Sequence, residues 1–206
     1  MGTGFSRTYE VEFIREQPAP PAALWHYDKP GGKGGREGRI VRAKPRGGDP
    51  WIGVFASGRA GGTDRLLSCP SPDWLCVVSG NRAYLVDTQD PDRWELVKGG
   101  WPVVQVIPAK EAKLLLFAGD TDIEAWGPNG IAWRSARLSL DGLRNLAVKG
   151  MMLQGEGWNP DVWEEFTLDL GSGRHDGGPD LAEIDRTQRR PAAWRRLLVR
   201  LGMIRQ

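Results

Sequence analysis

Three short apolar runs in this chain end in glycine at almost equal intervals. They are Trp74-Leu75-Cys76-Val77-Val78-Ser79-Gly80, Lys113-Leu114-Leu115-Leu116-Phe117-Ala118-Gly119 and Met151-Met152-Leu153-Gln154-Gly155-Glu156-Gly157. Gly80 and Gly119 lie 39 residues apart, Gly119 and Gly157 38. A fixed period of this size marks a repeated supersecondary unit that buries its apolar face only against its neighbours. With 28 glycines and 15 prolines, the chain suits many short strands better than long helices.

Each period divides into four short strand-like segments. In the first these are 65–69, 74–79, 82–86 and 94–97; in the second 103–107, 114–118, 122–126 and 131–135; in the third 143–148, 151–154, 163–168 and a stub near Arg174. Gly80-Asn81, Asn129-Gly130 and Gly171-Ser172-Gly173 supply the positive-φ positions that tight reversals need. Before the repeats, Tyr9, Val11 and Phe13 alternate with Glu10 and Glu12 as a half-buried strand does. Residues 17–50 read as Gly/Pro-rich loop, with a strand only at 39–43, and 51–56 is a further strand.

Three stretches carry a family resemblance. Phe166-Thr167-Leu168-Asp169-Leu170-Gly171-Ser172-Gly173-Arg174 is similar to the aspartate-to-glycine turn that joins the outer strands of quinoprotein-type blades. The stretch from Glu124 to Trp133 looks like the same turn with its following tryptophan, and Asp87 to Trp94 is a looser copy. Residues 64–178 thus resemble β-propeller blades of the WD-repeat or quinoprotein type. The resemblance implies a mainly β, antiparallel fold of about three four-stranded units. Closed propellers have four to eight blades. An open or incomplete arrangement, sandwich-like, is therefore expected, with the N-terminal strands at 1–63 covering one edge.

Past residue 179 the period changes. Trp194, Leu197, Leu198, Leu201 and Ile204 follow helical spacing, with arginines elsewhere on the wheel, so the 179–206 segment predicts an amphipathic helix over about 191–203. Charge is unevenly placed although the net is only +2. Residues 186–206 hold seven arginines and no acid, and 29–48 hold seven cations against Glu37, which leaves an acidic body between two basic extensions.

This asymmetry and helix spacing predict a non-enzymatic interaction module, an adaptor or accessory subunit. Trp194, Leu197, Leu198 and Leu201 would anchor a protein partner, and Arg190, Arg195, Arg196 and Arg200 would steer it. The alternative use of the helix is to dock on its own domain. A membrane surface ranks below a protein partner, and nucleic acid is a further reading that uses both basic segments. Lys33, Arg36, Arg39 and Arg42 are the candidate anion contacts, in a tract that lacks the ending of a phosphate-binding loop.

Catalytic signatures are sparse. The two histidines, His26 and His175, lack the setting of a nucleophile–base pair, and Cys69 and Cys76 read as small buried hydrophobes rather than metal ligands. No cofactor or metal is implied, and no small-molecule ligand is specified. Asp120, Asp122 and Glu124 share one hairpin and are the acids that a carbohydrate-active or hydrolytic enzyme would use; as the alternative, they read as solvated turn carboxylates. Trp74, Trp126, Trp133 and Trp163 are expected between sheets, with Trp25, Trp51 and Trp158 near a rim. The absence of an apolar leader or spanning run predicts a cytoplasmic protein.

Overall fold

The computed structural model describes residues 3–16, 23–28, 37–59, 61–160, 162–179 and 181. Within them sixteen strands form four sheets of four. The first sheet holds β1 (Tyr9–Ile14), β2 (Leu24–Tyr27), β3 (Gly38–Pro45) and β4 (Trp51–Ala56) in the order β1-β3-β4-β2. The other three are sequential antiparallel meanders. They comprise β5 (Arg65–Ser68), β6 (Trp74–Ser79), β7 (Arg82–Asp87) and β8 (Trp94–Leu96); β9 (Gln105–Ala109), β10 (Leu114–Ala118), β11 (Ile123–Gly127) and β12 (Gly130–Arg134); and β13 (Leu143–Lys149), β14 (Met152–Asn159), β15 (Val162–Asp169) and β16 (His175–Gly177).

The three expected units are present, and the N-terminal strands add a complete fourth sheet. Its second strand escapes sequence reading. β2 sits within the tract read as loop, yet Leu24 to Tyr27 pair in parallel with Ile52 to Phe55. The predicted helix over 191–203 lies outside the described residues. Among the described residues no helix is long and apolar enough to cross a membrane.

Three clusters of buried side chains join consecutive sheets. Tyr9, Tyr27, Val41, Trp51 and Phe55 of the first sheet meet Leu75, Val77, Tyr84 and Val86 of the second. Cys76, Val78, Ala83 and Leu85 of the second meet Leu115, Phe117 and Trp126 of the third. Leu114, Leu116, Ile123 and Ala125 of the third meet Leu153, Phe166 and Leu168 of the fourth. The two middle sheets therefore bury both faces. This is why β6 and β10 read as continuous apolar runs rather than alternating ones, although their ladders are antiparallel.

The repeated glycines have one steric origin. Each segment connecting two sheets crosses over the hairpin between the second and third strands of the sheet it enters. Ahead of the second sheet, Gly58 N donates to Ser79 O at 3.1 Å and Arg59 N to Gly80 O at 2.8 Å. A Cβ on Gly80, which has a φ of 56°, would lie 2.6 Å from the Arg59 carbonyl oxygen. On Gly119 it would lie 2.6 Å from the Gly100 oxygen, and on Gly157 it would penetrate the Leu138 carbonyl. Side chains are excluded because two backbones touch there.

The crossing makes a prediction that separates sterics from backbone conformation. Gly157 is excluded from carrying a side chain by contact, whereas Gly150 has a φ of 57° and open space where a Cβ would stand, with nothing within 4 Å. Gly157→Ala should destabilise the protein by about 3 kcal/mol, at the upper end of overpacking costs. Gly150→Ala should cost only about 1 kcal/mol, the left-handed strain of alanine alone. Urea unfolding of the two variants decides it, and equal losses would refute the crossing as the source of the period.

Candidate functional site: the groove between the second and third sheets

A groove of about 490 Å³ opens where the outer part of the second sheet faces the β11–β12 turn of the third. One wall comes from the segment entering β6 and from β8, with Cys69, Trp74, Trp94 and Glu95; the opposite wall is Trp126, the Gly127-Pro128-Asn129-Gly130 turn and Ile131. Leu85 also lines it, and Arg93, Lys98 and Arg134 provide its cations.

Each wall residue is held by its own neighbours. The Trp94 ring stands edge-on to Tyr27 at 5.5 Å, and the Arg93 guanidinium lies 5.3 Å over the Trp74 ring. Trp126 is 7% exposed, and its indole Nε1 donates to Glu124 Oε1 at 2.7 Å. Ile131, at 46%, is one of the exposed large apolar side chains.

Glu124 ties the third-sheet wall to the chain entering that sheet. Its side chain is fully buried, and Oε2 accepts from Gly99 N at 2.6 Å and from Arg134 Nε at 2.5 Å. Asp122 Oδ2 accepts from Gly100 N at 3.3 Å, and the Asp120 carbonyl accepts from Gly142 N at 2.8 Å. The three acids thus share a hairpin, as the spacing predicts, but Glu124 is no solvated turn carboxylate. With Asp122 it clasps the glycines that cross their hairpin.

The three cations of the groove, Arg93, Lys98 and Arg134, outnumber its one exposed carboxylate, Glu95. Arg93 pairs with Asp87 at 3.4 Å, their side chains 67% and 12% exposed; in the Arg134–Glu124 pair the figures are 47% and 0%. In both pairs the carboxylate lies behind and the guanidinium faces solvent. Such partly exposed pairs add little stability, but they set the sign of the field that an approaching ligand meets.

The other sequence candidates lie elsewhere. Arg39 and Arg42 both sit on β3 and pair with acids, Arg39 with Asp64 at 2.5 Å and Arg42 with Glu12 at 3.0 Å. Lys33 and Arg36 are outside the described residues, as are Arg190, Trp194, Arg195, Arg196, Leu197, Leu198, Arg200 and Leu201. His26 is on β2 of the first sheet and His175 on β16 of the fourth, so the fold does not bring the histidines together. Among the described residues no group of three or more His, Cys, Asp and Glu could hold a metal ion. Compared with known proteins, the chain matches no family model and no curated sequence.

The tryptophans divide differently from expectation. Trp51 is core rather than rim, 2% exposed, with Nε1 donating to Thr88 O at 2.9 Å. Trp163 lies by register on the face of β15 opposite Phe166 and Leu168, beneath the Arg144 guanidinium at 4.1 Å, rather than between sheets. Cys69 and Cys76 are buried free thiols, and burial pushes both well above the ordinary thiol range.

The clasp and the thiols can each be tested. Glu124→Ala removes the acceptor for a buried indole and for the Gly99 amide, so it should cost about 3 kcal/mol in urea unfolding, because each orphaned buried donor costs roughly 1–3 kcal/mol. A loss below about 1 kcal/mol would mean that the clasp is not structural. Both thiols should resist a disulfide reagent such as dithionitrobenzoate in the native chain and react together on unfolding. Rapid native reaction of Cys69 would show the groove floor to be open.

Proposed function

We propose that this chain is a non-enzymatic interaction module, an adaptor or accessory subunit, built from propeller-like four-stranded units. It holds a protein partner in the groove between the second and third sheets. The observation that carries this reading is the groove itself: Trp74, Trp126 and Ile131 give an apolar lining, and Arg93 and Arg134 at its mouth are exposed while the carboxylates they pair with are covered. Aromatic anchors ringed by arginine are the composition of interface hot spots. The burial of Glu124 and its three donors favours this reading over acid–base chemistry, since that carboxylate is committed to the clasp.

The arginine-rich 186–206 segment is the second contact in this proposal. Its Trp194, Leu197, Leu198 and Leu201 would bind apolar surface on the same partner, and Arg190, Arg195, Arg196 and Arg200 would speed encounter.

The test is affinity capture from host lysate with three full-length chains: unaltered, Arg93→Glu/Lys98→Glu, and Trp194→Ala/Leu198→Ala. One protein should be recovered stoichiometrically by the unaltered chain and lost with the groove variant, whose thermal midpoint should stay the same. The C-terminal variant should recover less of it. Equal recovery by all three chains would sink the proposal.

A further inference from the structure

Two of the three sheet-to-sheet interfaces carry an indole that donates to a turn carbonyl of the facing sheet, from the third strand of the first sheet and the outermost strand of the third, and the interface between them has no such indole. At the first, Trp51 Nε1 donates to Thr88 O at 2.9 Å, with Tyr27 Oη donating to Pro91 O at 3.0 Å beside it. At the third, Trp133 Nε1 donates to Leu170 O at 2.8 Å, and its ring lies against Gly173, where a Cβ would come within 2.7 Å. The two acceptors occupy the same place in the repeat. Thr88 follows Asp87, which pairs with Trp74 at the start of β6; Leu170 follows Asp169, which pairs with Met152 at the start of β14. Each aspartate accepts an amide of the turn that follows it, Asp87 from Gln89 N at 3.0 Å and Asp169 from Ser172 N at 2.8 Å.

At the second interface the same register gives different residues. Leu115 pairs with Trp126, so Gly127 holds the place of the aspartates and Pro128 carries the equivalent carbonyl. Trp133 pairs with Ala125, two residues before Gly127; its counterpart in the second sheet pairs with Leu85, two before Asp87, and is Glu95. A carboxylate thus stands where the third interface has an indole, and the space beside it is the groove. The facing sheet carries Trp126 at the place of Val86 and Leu168, which gives the opening an aromatic wall.

We propose that this vacant slot takes a tryptophan or tyrosine side chain from an acidic segment of a protein partner. The incoming ring stacks against Trp126, and its N–H or O–H donates to the Pro128 carbonyl, as Trp133 does to Leu170 within the chain. Flanking carboxylates meet the outward-facing Arg93, Lys98 and Arg134. The same charges disfavour the chain's own Trp194, which sits among arginines. This inference rests on the interaction-module reading and specifies its ligand.

The probe is the peptide acetyl-Glu-Asp-Trp-Glu-Asp-amide, titrated calorimetrically into the full-length chain at low salt, beside the same peptide with alanine for tryptophan. The tryptophan peptide should bind at least tenfold more tightly. Glu95→Trp restores the missing indole; it should raise the thermal midpoint and reduce peptide affinity at least tenfold. Lys98→Glu, an exposed change, should weaken binding about fivefold even if Glu95→Trp fails to fold. Equal binding of the alanine peptide overturns the aromatic slot but leaves the module reading intact, since lysate capture tests that separately. Undiminished binding to a folded Glu95→Trp chain also overturns it. If Trp194→Ala raises peptide affinity tenfold or more, the slot's occupant is the chain's own indole and the external ligand is refuted.

Discussion

Contact between two backbones, with no side chain between them, is the constraint on which the rest of this structure depends. Where the segment leaving one sheet crosses the hairpin of the next, Gly58 meets Gly80, Gly100 meets Gly119, and Leu138 meets Gly157. The crossing sets how closely successive sheets approach. It also fixes the register in which their apolar faces meet, because the amides of the crossing segment bond to the hairpin carbonyls. The clasp of Asp122 and Glu124 belongs to the same device: it satisfies amides that the crossing turns away from the ladder.

From the crossing follows the composition of the strands. A sheet covered on both sides needs apolar residues at successive positions, and β6 and β10 have them. The end sheets carry charge on their outward faces instead. Glu12 opposes Arg42 on the first, and Arg144 lies 2.6 Å from Glu156 on the fourth, where hydrogen bonds from Asn145 and Arg144 hold the Glu156 carboxyl below its ordinary range.

Much of this was legible in the sequence where the signal was local. The glycine period, the apolar runs and the turn at Asp169 each lie within one stretch of chain, and they placed the strands to within a residue or two, except that β14 runs five residues past the expected 151–154. What escaped depends on residues far apart. β2 owes its existence to a parallel partner more than twenty residues downstream, and its flanking Pro/Gly tract hid a strand of only four residues. Glu124 looked like a turn acid because one of its donors, the Gly99 amide, comes from 25 residues upstream. The groove could have been found by aligning the units on their third strands, which sets Glu95 beside Trp133. A missing aromatic is visible only against the repeat that has one.

The unfilled slot also bears on how the molecule comes apart. Among the described residues each buried cluster spans two consecutive sheets, so stability sums over neighbouring interfaces as it does in a linear array. Two of those interfaces are bolted by an indole hydrogen-bonded to the opposite turn. The central one keeps its apolar cluster and the Glu124 clasp but lacks the bolt. The array is therefore two firmly joined pairs of sheets meeting at a less filled seam, and a guest of the proposed kind, by filling the seam, would make the four sheets unfold more nearly as one.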